Sequence, residues 1–112
     1  MDERNLRKYA DELSYLLASP LARKIVIALE EAVMLTPTEI GKAISVSTSN
    51  VSTKLIELKK KGLVECITPE RRKCRFYGLS VKCKKVVRLL PDGEEIREKI
   101  KSNYDKGKIQ RI

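Results

Sequence analysis

The chain has 112 residues, of which 42% are hydrophobic and 35% charged, and it contains no histidine. This composition fits one soluble domain with a modest core, and it excludes Ser–His and Cys–His catalytic pairs and zinc sites that use histidine. No apolar run approaches the length of a membrane helix, about 20 residues, and no apolar segment follows a basic start as in a signal peptide. We therefore expect a cytoplasmic protein that has no membrane partner.

The net charge of +9 is concentrated in the middle of the chain. Residues 1–46 contain 6 basic and 7 acidic side chains, residues 47–90 contain 12 and 3, and residues 91–112 contain 6 and 5. A localised basic surface is typical of a protein that binds a polyanion. A face kept basic only for solubility would not be confined to one segment.

Two amphipathic helices are predicted at the start of the chain. An apolar stripe at helical spacing predicts the first helix over Arg4–Leu17. Ser19 and Pro20 have the residue types of an N-cap and a first helical position, and they predict a second helix that runs to about Val33.

Two further helices are predicted on either side of a tight turn. The segment Thr36–Glu39 is a capping box with proline at the first helical position, and it opens a short helix that ends at Ala43 or Ile44. After the turn, Ser47 is the expected N-cap of a helix over Thr48–Lys61, which ends at Gly62.

The periodicity then changes to that of strands. Leu63–Ile67 and Cys74–Leu79 are predicted strands, and the polar, basic segment Thr68–Lys73 joins them as a hairpin. Ser80 is the expected N-cap of a helix over Val81–Leu90.

A last amphipathic helix is predicted from Glu94 to about Tyr104, after the break at Pro91-Asp92-Gly93. The whole order predicts a mainly α fold with a small β-hairpin wing: a winged helix-turn-helix flanked by N- and C-terminal amphipathic helices. We expect one domain over residues 1–112. Residues 1–18 form its N-terminal helix, residues 19–90 its winged-helix core, and residues 91–112 its C-terminal helix and frayed tail.

The helix after the tight turn has two chemically different sides. Its buried side is fixed by three apolar residues at helical spacing: Val51, Leu55 and Leu58. The outward side of its first two turns carries small polar groups, which can bond to base edges in the major groove. The residues expected to contact bases are Ser49, Asn50, Ser52 and Thr53.

Basic and hydroxyl side chains around this helix are expected to contact phosphates or the adjacent minor groove. They are Thr36, Thr38, Lys42, Thr48, Lys54, Arg71, Arg72 and Lys73. The last three form the tip of the predicted hairpin. The double-stranded DNA partner predicted by this pattern would be read by the helix and held by the wing.

Four segments resemble winged helix-turn-helix transcriptional regulators of the ArsR/MarR type. They are Leu17–Ile25, Ser47–Leu55, Lys61–Val64 and Phe76–Ser80, and the match covers about Leu17 to Leu90. The resemblance implies a homodimer that binds a pseudo-palindromic DNA site and regulates transcription. It also implies that helices outside the helix-turn-helix, here Arg4–Leu17 and Glu94–Tyr104, form the dimer. Metal-sensing members carry a Cys-containing motif where this chain has Thr36–Lys42, so we expect no metal site and no cofactor.

Three other hypotheses remain open. A winged-helix protein–protein interaction module is supported by Ile56, an apolar residue on the outer side of the same helix. A non-specific architectural DNA binder would have the same basic surface. A redox switch is possible if Cys66 and Cys74 share one face of the hairpin, which requires a hairpin centre near residue 70 or 71. We expect no enzyme, because the sequence shows no paired carboxylates, glycine-rich phosphate loop or nucleophile–base pair.

Overall fold

The computed structural model of the chain describes residues 7–73 and 75–105. Its described part contains six helices and one two-stranded antiparallel sheet. In chain order these elements are α1 (Ala10–Ala18), α2 (Pro20–Ala32), α3 (Pro37–Ile44), α4 (Thr48–Lys60), β1 (Val64–Cys66), β2 (Tyr77–Leu79), α5 (Val81–Val86) and α6 (Gly93–Asp105). A single 3₁₀ turn over Val87–Leu89 follows α5.

Helix α2 lies at the centre of the core. Ile25, Val26, Ile27 and Leu29 are all buried, so apolar side chains point outward on nearly every side of this helix. Such a helix must be covered all round. The helices α1, α3, α4 and α6 and the strand β2 pack against it and provide that cover.

The predicted helix starts are confirmed by their caps. The hydroxyls of Ser19, Ser47 and Ser80 each accept a hydrogen bond from the backbone N–H three residues further on. At α3, Thr36 and Glu39 form the reciprocal capping box, with distances of 3.2 and 2.9 Å. These interactions are local, which is why residue type and spacing were enough to predict them.

The turn between α3 and α4 is tight because α3 and the chain after it approach closely. Ser45 ends α3 in the left-handed region with φ 59°, and the Val46 N–H donates to the Gly41 carbonyl at 2.9 Å. A Cβ atom at Gly41 would lie 2.5 Å from the Val46 carbonyl oxygen. This geometry sets the angle between the two helices of the helix-turn-helix.

The two strands of the hairpin are shorter than predicted. Strand β1 pairs antiparallel with β2, with Val64 opposite Leu79. Ile67 still donates to the Phe76 carbonyl at 2.8 Å, but the Phe76 N–H then donates to the side chain of Thr68, at 3.0 Å. Since a side chain takes the place of a strand carbonyl, the ladder ends there. The segment beyond it forms the loop of the wing.

A third strand position comes from the connector between α2 and α3. Leu35 exchanges both backbone hydrogen bonds with Tyr77, at 3.1 and 2.9 Å. Val33, two residues before Leu35, has φ 70° and ψ −55°, and the Met34 N–H donates to the Ala32 carbonyl across it. This three-residue turn swings the chain from α2 onto the edge of β2.

The outer helices differ from their predicted bounds. Arg7 and Lys8 are helical, but Tyr9, with φ −112° and ψ 22°, interrupts the helix, so α1 begins at Ala10. Residues 4–6 of the predicted Arg4–Leu17 helix lie outside the described residues. The helix predicted to reach Leu90 tightens into the 3₁₀ turn after Val86. Among the helices described, none combines the length and apolar character that a membrane crossing requires.

Candidate nucleic-acid interface

Helix α4 has one buried side and one polar, exposed side. Its three predicted core residues, Val51, Leu55 and Leu58, are fully buried. The predicted base-contacting residues Ser49, Asn50 and Thr53 are exposed, and Ser52 is half-buried at the edge of the same side. The structure therefore brings these four side chains together on the first turns of one helix.

Thr53 has a restricted hydrogen-bonding capacity. Its hydroxyl donates to the Ser49 carbonyl at 3.1 Å, one turn earlier in the helix. Because this proton is used within the helix, Thr53 can offer a ligand only an acceptor oxygen and its methyl group. A methyl group can contact the methyl of thymine in a major groove.

Helix α3 contributes a second set of exposed groups. Thr38 and Lys42 are exposed and lie four residues apart, so they share one face of the helix. Thr48, at the start of α4, is also exposed. Thr36 differs from them, because its hydroxyl accepts the Glu39 N–H in the capping box.

The wing presents a cluster of cations. The Arg71 N–H donates to the Thr68 carbonyl at 3.1 Å, which closes a turn with Pro69 at its second position. The Arg71 guanidinium lies 5.7 Å from the centre of the Phe76 ring. Arg71 and the two residues that follow it, Arg72 and Lys73, are all exposed.

Lys54 lies on the flank of α4 that faces α1 and is already paired. Its Nζ lies 3.1 Å from Glu57 Oε2, and the Tyr15 hydroxyl of α1 donates to Glu57 Oε1 at 3.2 Å. The ammonium groups of Lys54 and Lys61 lie 5.9 and 5.0 Å from the centre of the Tyr15 ring. We name Tyr15, Lys54, Glu57 and Lys61 the Tyr15 cluster. The sequence analysis did not predict this cluster: Lys54 and Glu57 are three residues apart on one helix, but Tyr15 lies 42 residues from Glu57.

The groups of the Tyr15 cluster shift the pKa values of Tyr15 and Glu57 in opposite directions. Burial, together with the neighbouring Glu57 carboxylate, raises the pKa of Tyr15 to about 12. The hydrogen bond from Lys54, with smaller contributions from Tyr15 and Lys61, lowers the pKa of Glu57. Tyr15 therefore stays a hydrogen-bond donor and Glu57 stays ionised near neutral pH.

The C-terminal end of α4 is held from two sides. Lys82, from α5, donates to the Lys61 carbonyl at 3.3 Å and forms an ion pair with Glu12 of α1 at 3.4 Å. Gly62 has φ 73°, the left-handed conformation that ends the helix. Both ends of α4 are therefore capped, which fixes the position of its polar N-terminal turns on the core.

The thiols have different surroundings. Cys83 is buried, and burial raises its pKa to about 12. Cys66 is half-buried. It lies opposite Tyr77 in the hairpin, so the centre of the hairpin falls between residues 71 and 72. Cys74 lies outside the described residues, so the proposed pairing of Cys66 with Cys74 stays a prediction. Within residues 7–73 and 75–105, no three Cys, Asp or Glu side chains are grouped as a metal site would require.

These elements define a winged helix-turn-helix: α3, the tight turn and α4 form the motif, and the hairpin with its basic loop forms the wing. The fold is similar to that of the reduced form of MarR from E. coli, with a TM-score of 0.62 and 21% identity over 90% of this chain and 76% of that chain. A mutant of E. coli MarR complexed with operator DNA gives a TM-score of 0.56 and 24% identity, over 90% of this chain and 72% of that chain.

A mutant of ZitR from Lactococcus lactis, in its apo form, gives a TM-score of 0.57 and 18% identity, over 94% of this chain and 75% of that chain. No protein-family model matches the sequence. The comparison with curated proteins also found no match. The structural likeness confirms the predicted fold class, a mainly α winged helix-turn-helix of the MarR type.

Proposed function

We propose that this chain is a transcription regulator that binds double-stranded DNA sequence-specifically, with the N-terminal turns of α4 in the major groove. The observation that carries the proposal is the exposed polar face of α4, fixed by a buried apolar face and followed by an exposed basic wing. Recognition helices of this fold class contact base edges with their N-terminal residues. The similarity in fold to a protein solved with operator DNA supports the same use of the surface.

The residues divide into two roles in this proposal. The base-contacting residues are Ser49, Asn50, Ser52 and Thr53. The residues that contact phosphates or the minor groove are Thr38, Lys42, Thr48, Arg71, Arg72 and Lys73. Thr36 contributes by fixing the start of α3 through its cap, and Lys54 contributes least because Glu57 holds its ammonium group. No catalytic residue, metal or cofactor is needed.

The proposed active species is a cytoplasmic homodimer in which each copy reads one half of a pseudo-palindromic site. Helices α1 and α6 flank the winged core and are available for such an interface. Leu17, on α1, is 46% exposed although it is a large apolar side chain. Sedimentation should give twice the 12.8 kDa mass of the chain.

A selection experiment tests the proposal directly. Purified protein is incubated with a random duplex pool at two salt concentrations, and the bound DNA is sequenced. We expect an enriched palindrome with half-sites about one helical turn apart. Salt-sensitive binding without an enriched motif would instead identify a non-specific architectural binder.

The second candidate function is a protein–protein interaction module. Ile56 supports it, because this apolar side chain is 59% exposed on α4. Duplex binding at neither salt concentration would favour this function over DNA binding. Under the primary proposal, Ile56 contacts a thymine methyl or forms a partly covered edge of the interface.

A further inference from the structure

We propose that Glu57 is a specificity-determining residue of the proposed DNA-binding surface, because its carboxylate holds Lys54 of α4 away from DNA phosphates. This inference rests on the proposed function. Tyr15 is the positioning residue that fixes the carboxylate from α1. In this arrangement a phosphate must compete with an internal anion before it can bind Lys54.

The geometry occupies both oxygens of the carboxylate. Oε2 accepts from Lys54 at 3.1 Å and Oε1 accepts from Tyr15 at 3.2 Å. Lys54 is only 19% exposed in this position, whereas the Glu57 side chain is 49% exposed. The lysine therefore lies inward against α1, and the acid occupies the position nearer to solvent.

The position of Glu57 within the sequence makes it unusual. It is the sole acidic residue of α4, and residues 47–90 contain only 3 acids among 12 basic side chains. The helical period places Asn50, Lys54, Glu57 and Lys61 on one flank, beside the outward face. A carboxylate so close to the proposed phosphate-binding surface repels DNA directly and also neutralises its neighbours.

The physical benefit is discrimination between sequences. Phosphate contacts contribute to every complex regardless of sequence, so extra contacts raise non-specific binding. Base contacts fix the position of α4 in a specific complex, whereas a non-specific complex can shift until flanking lysines reach phosphates. Holding Lys54 on the α1 side therefore weakens the non-specific complex more than the specific one.

The central experiment compares Glu57→Gln with Glu65→Gln. Both substitutions remove one negative charge from the basic segment, so its net charge rises by one. Glu65, however, is exposed on β1 and lies outside the Tyr15 cluster. Dissociation constants are measured for the enriched duplex and for a scrambled duplex over a series of salt concentrations. Circular dichroism melts check that each variant is folded.

We expect Glu57→Gln to tighten scrambled-duplex binding by about two- to fivefold, since the released ion pair is partly exposed and weak. Its salt slope should steepen by about one, because one further phosphate is contacted. The enriched duplex should gain less, so that the specificity ratio falls. Glu65→Gln should give a smaller gain and no steeper slope.

Two further variants test the individual roles. Adding Lys54→Gln to Glu57→Gln should remove most of the gain, since the released lysine is then missing. Tyr15→Phe should give part of the gain, because it removes one hydrogen bond and leaves the charges in place. If Tyr15→Phe binds as the wild type does, the positioning role of Tyr15 is wrong.

The outcomes separate this inference from the proposed function. If the wild type binds its enriched duplex but Glu57→Gln and Glu65→Gln behave alike, the role of Glu57 is wrong and the proposed function stands. If Glu57→Gln tightens both duplexes equally, Glu57 limits affinity and does not determine specificity. If neither the wild type nor Glu57→Gln binds any duplex, both proposals fail.

Discussion

Gly41 allows α3 to lie close to the turn that follows it, because it has no Cβ atom. Within a helix, alanine is normally favoured over glycine by about 1 kcal/mol. Here a Cβ atom would lie 2.5 Å from the backbone oxygen of Val46, an atom that cannot rotate away. The close approach outweighs the helix propensity, and it explains a glycine in the middle of an otherwise well-formed helix.

We expect Gly41→Ala to lower the free energy of unfolding by about 1–3 kcal/mol, the usual cost of overpacking. Urea denaturation measures it. Gly93→Ala is the comparison, because its added Cβ would meet a side chain, the Arg97 guanidinium at 2.9 Å, and not a backbone atom. The guanidinium can shift, although its ion pairs with Glu30 and Glu31 oppose this, so we expect a smaller loss than at Gly41. Equal effects of the two substitutions would show that the backbone contact does not set the angle of the turn.

The raised pKa of Tyr15 predicts that the free energy of unfolding changes at high pH. Its pKa is raised from 10.0 to about 12 in the fold, chiefly by burial and then by Glu57. Between these values the unfolded chain has lost the proton and the folded chain retains it, so the free energy of unfolding falls as pH rises from 10 to 12. Below pH 10 the contribution is complete. Urea denaturation across this range should show a shallower decline for Tyr15→Phe than for the wild type, and parallel curves would contradict the prediction.

At the scale of elements, the helix starts were predictable because each depends on neighbours in sequence. Ser47 accepts a backbone N–H three residues away, and the same local logic applies to every cap of this type. The strand ends were not predictable, since Thr68 takes the Phe76 N–H eight residues later with its side chain. Leu35 gave no strand signal either, because its partner, Tyr77, comes from a distant part of the chain.

Within the candidate site, too, some features were predictable from the sequence and others were not. The polar outer face of α4 followed from the helical period, and its exposure agrees with that prediction. The expected phosphate contact of Lys54 did not take account of Tyr15, which reaches Glu57 from α1. Contacts between elements far apart in sequence depend on packing, and residue spacing alone does not encode them.

The wing should contribute affinity without sequence preference. We expect Arg72→Ala combined with Lys73→Ala to weaken binding to all duplexes and to reduce the salt slope by about two. Lys99→Ala with Lys101→Ala removes the same charge from exposed positions on α6 and should change the slope less. Binding titrations over a salt series measure both.

The recognition helix should behave differently from the wing. We expect Asn50→Ala to reduce discrimination at one base pair by roughly 1–3 kcal/mol, with little change in the salt slope. Competition assays with single-base variants of the enriched site measure this loss. If Asn50→Ala and the wing double mutant give the same pattern, the proposed division of roles is wrong.

At the scale of the whole molecule, α6 is joined to the central helix by charged contacts as well as by its buried Ile96 and Ile100. Arg97 bonds to Glu30 of α2 at 2.5 Å and lies 3.2 Å from Glu31. The hydrogen bond to Glu30 raises the pKa of Arg97, so the guanidinium remains charged. At the other end of α2, Arg23 donates to Asp92 at 3.0 Å and to the carbonyls of Leu16 and Leu17.

Arg97→Met tests whether this charge cluster stabilises the attachment of α6. The substitution keeps an unbranched stem but removes the guanidinium, which leaves two adjacent carboxylates, 24% and 32% exposed, without their shared cation. We expect a loss of about 1–2 kcal/mol in the free energy of unfolding, between the values for exposed and buried pairs. Lys99→Met is the control on the same helix, because its pair with Glu95 is 4.0 Å long and largely exposed. Adding Glu30→Gln should restore part of the loss in Arg97→Met by removing one of the repelling charges. If it restores nothing, repulsion between the unpaired carboxylates is not the cause of the loss, which then comes from the missing contacts of the guanidinium.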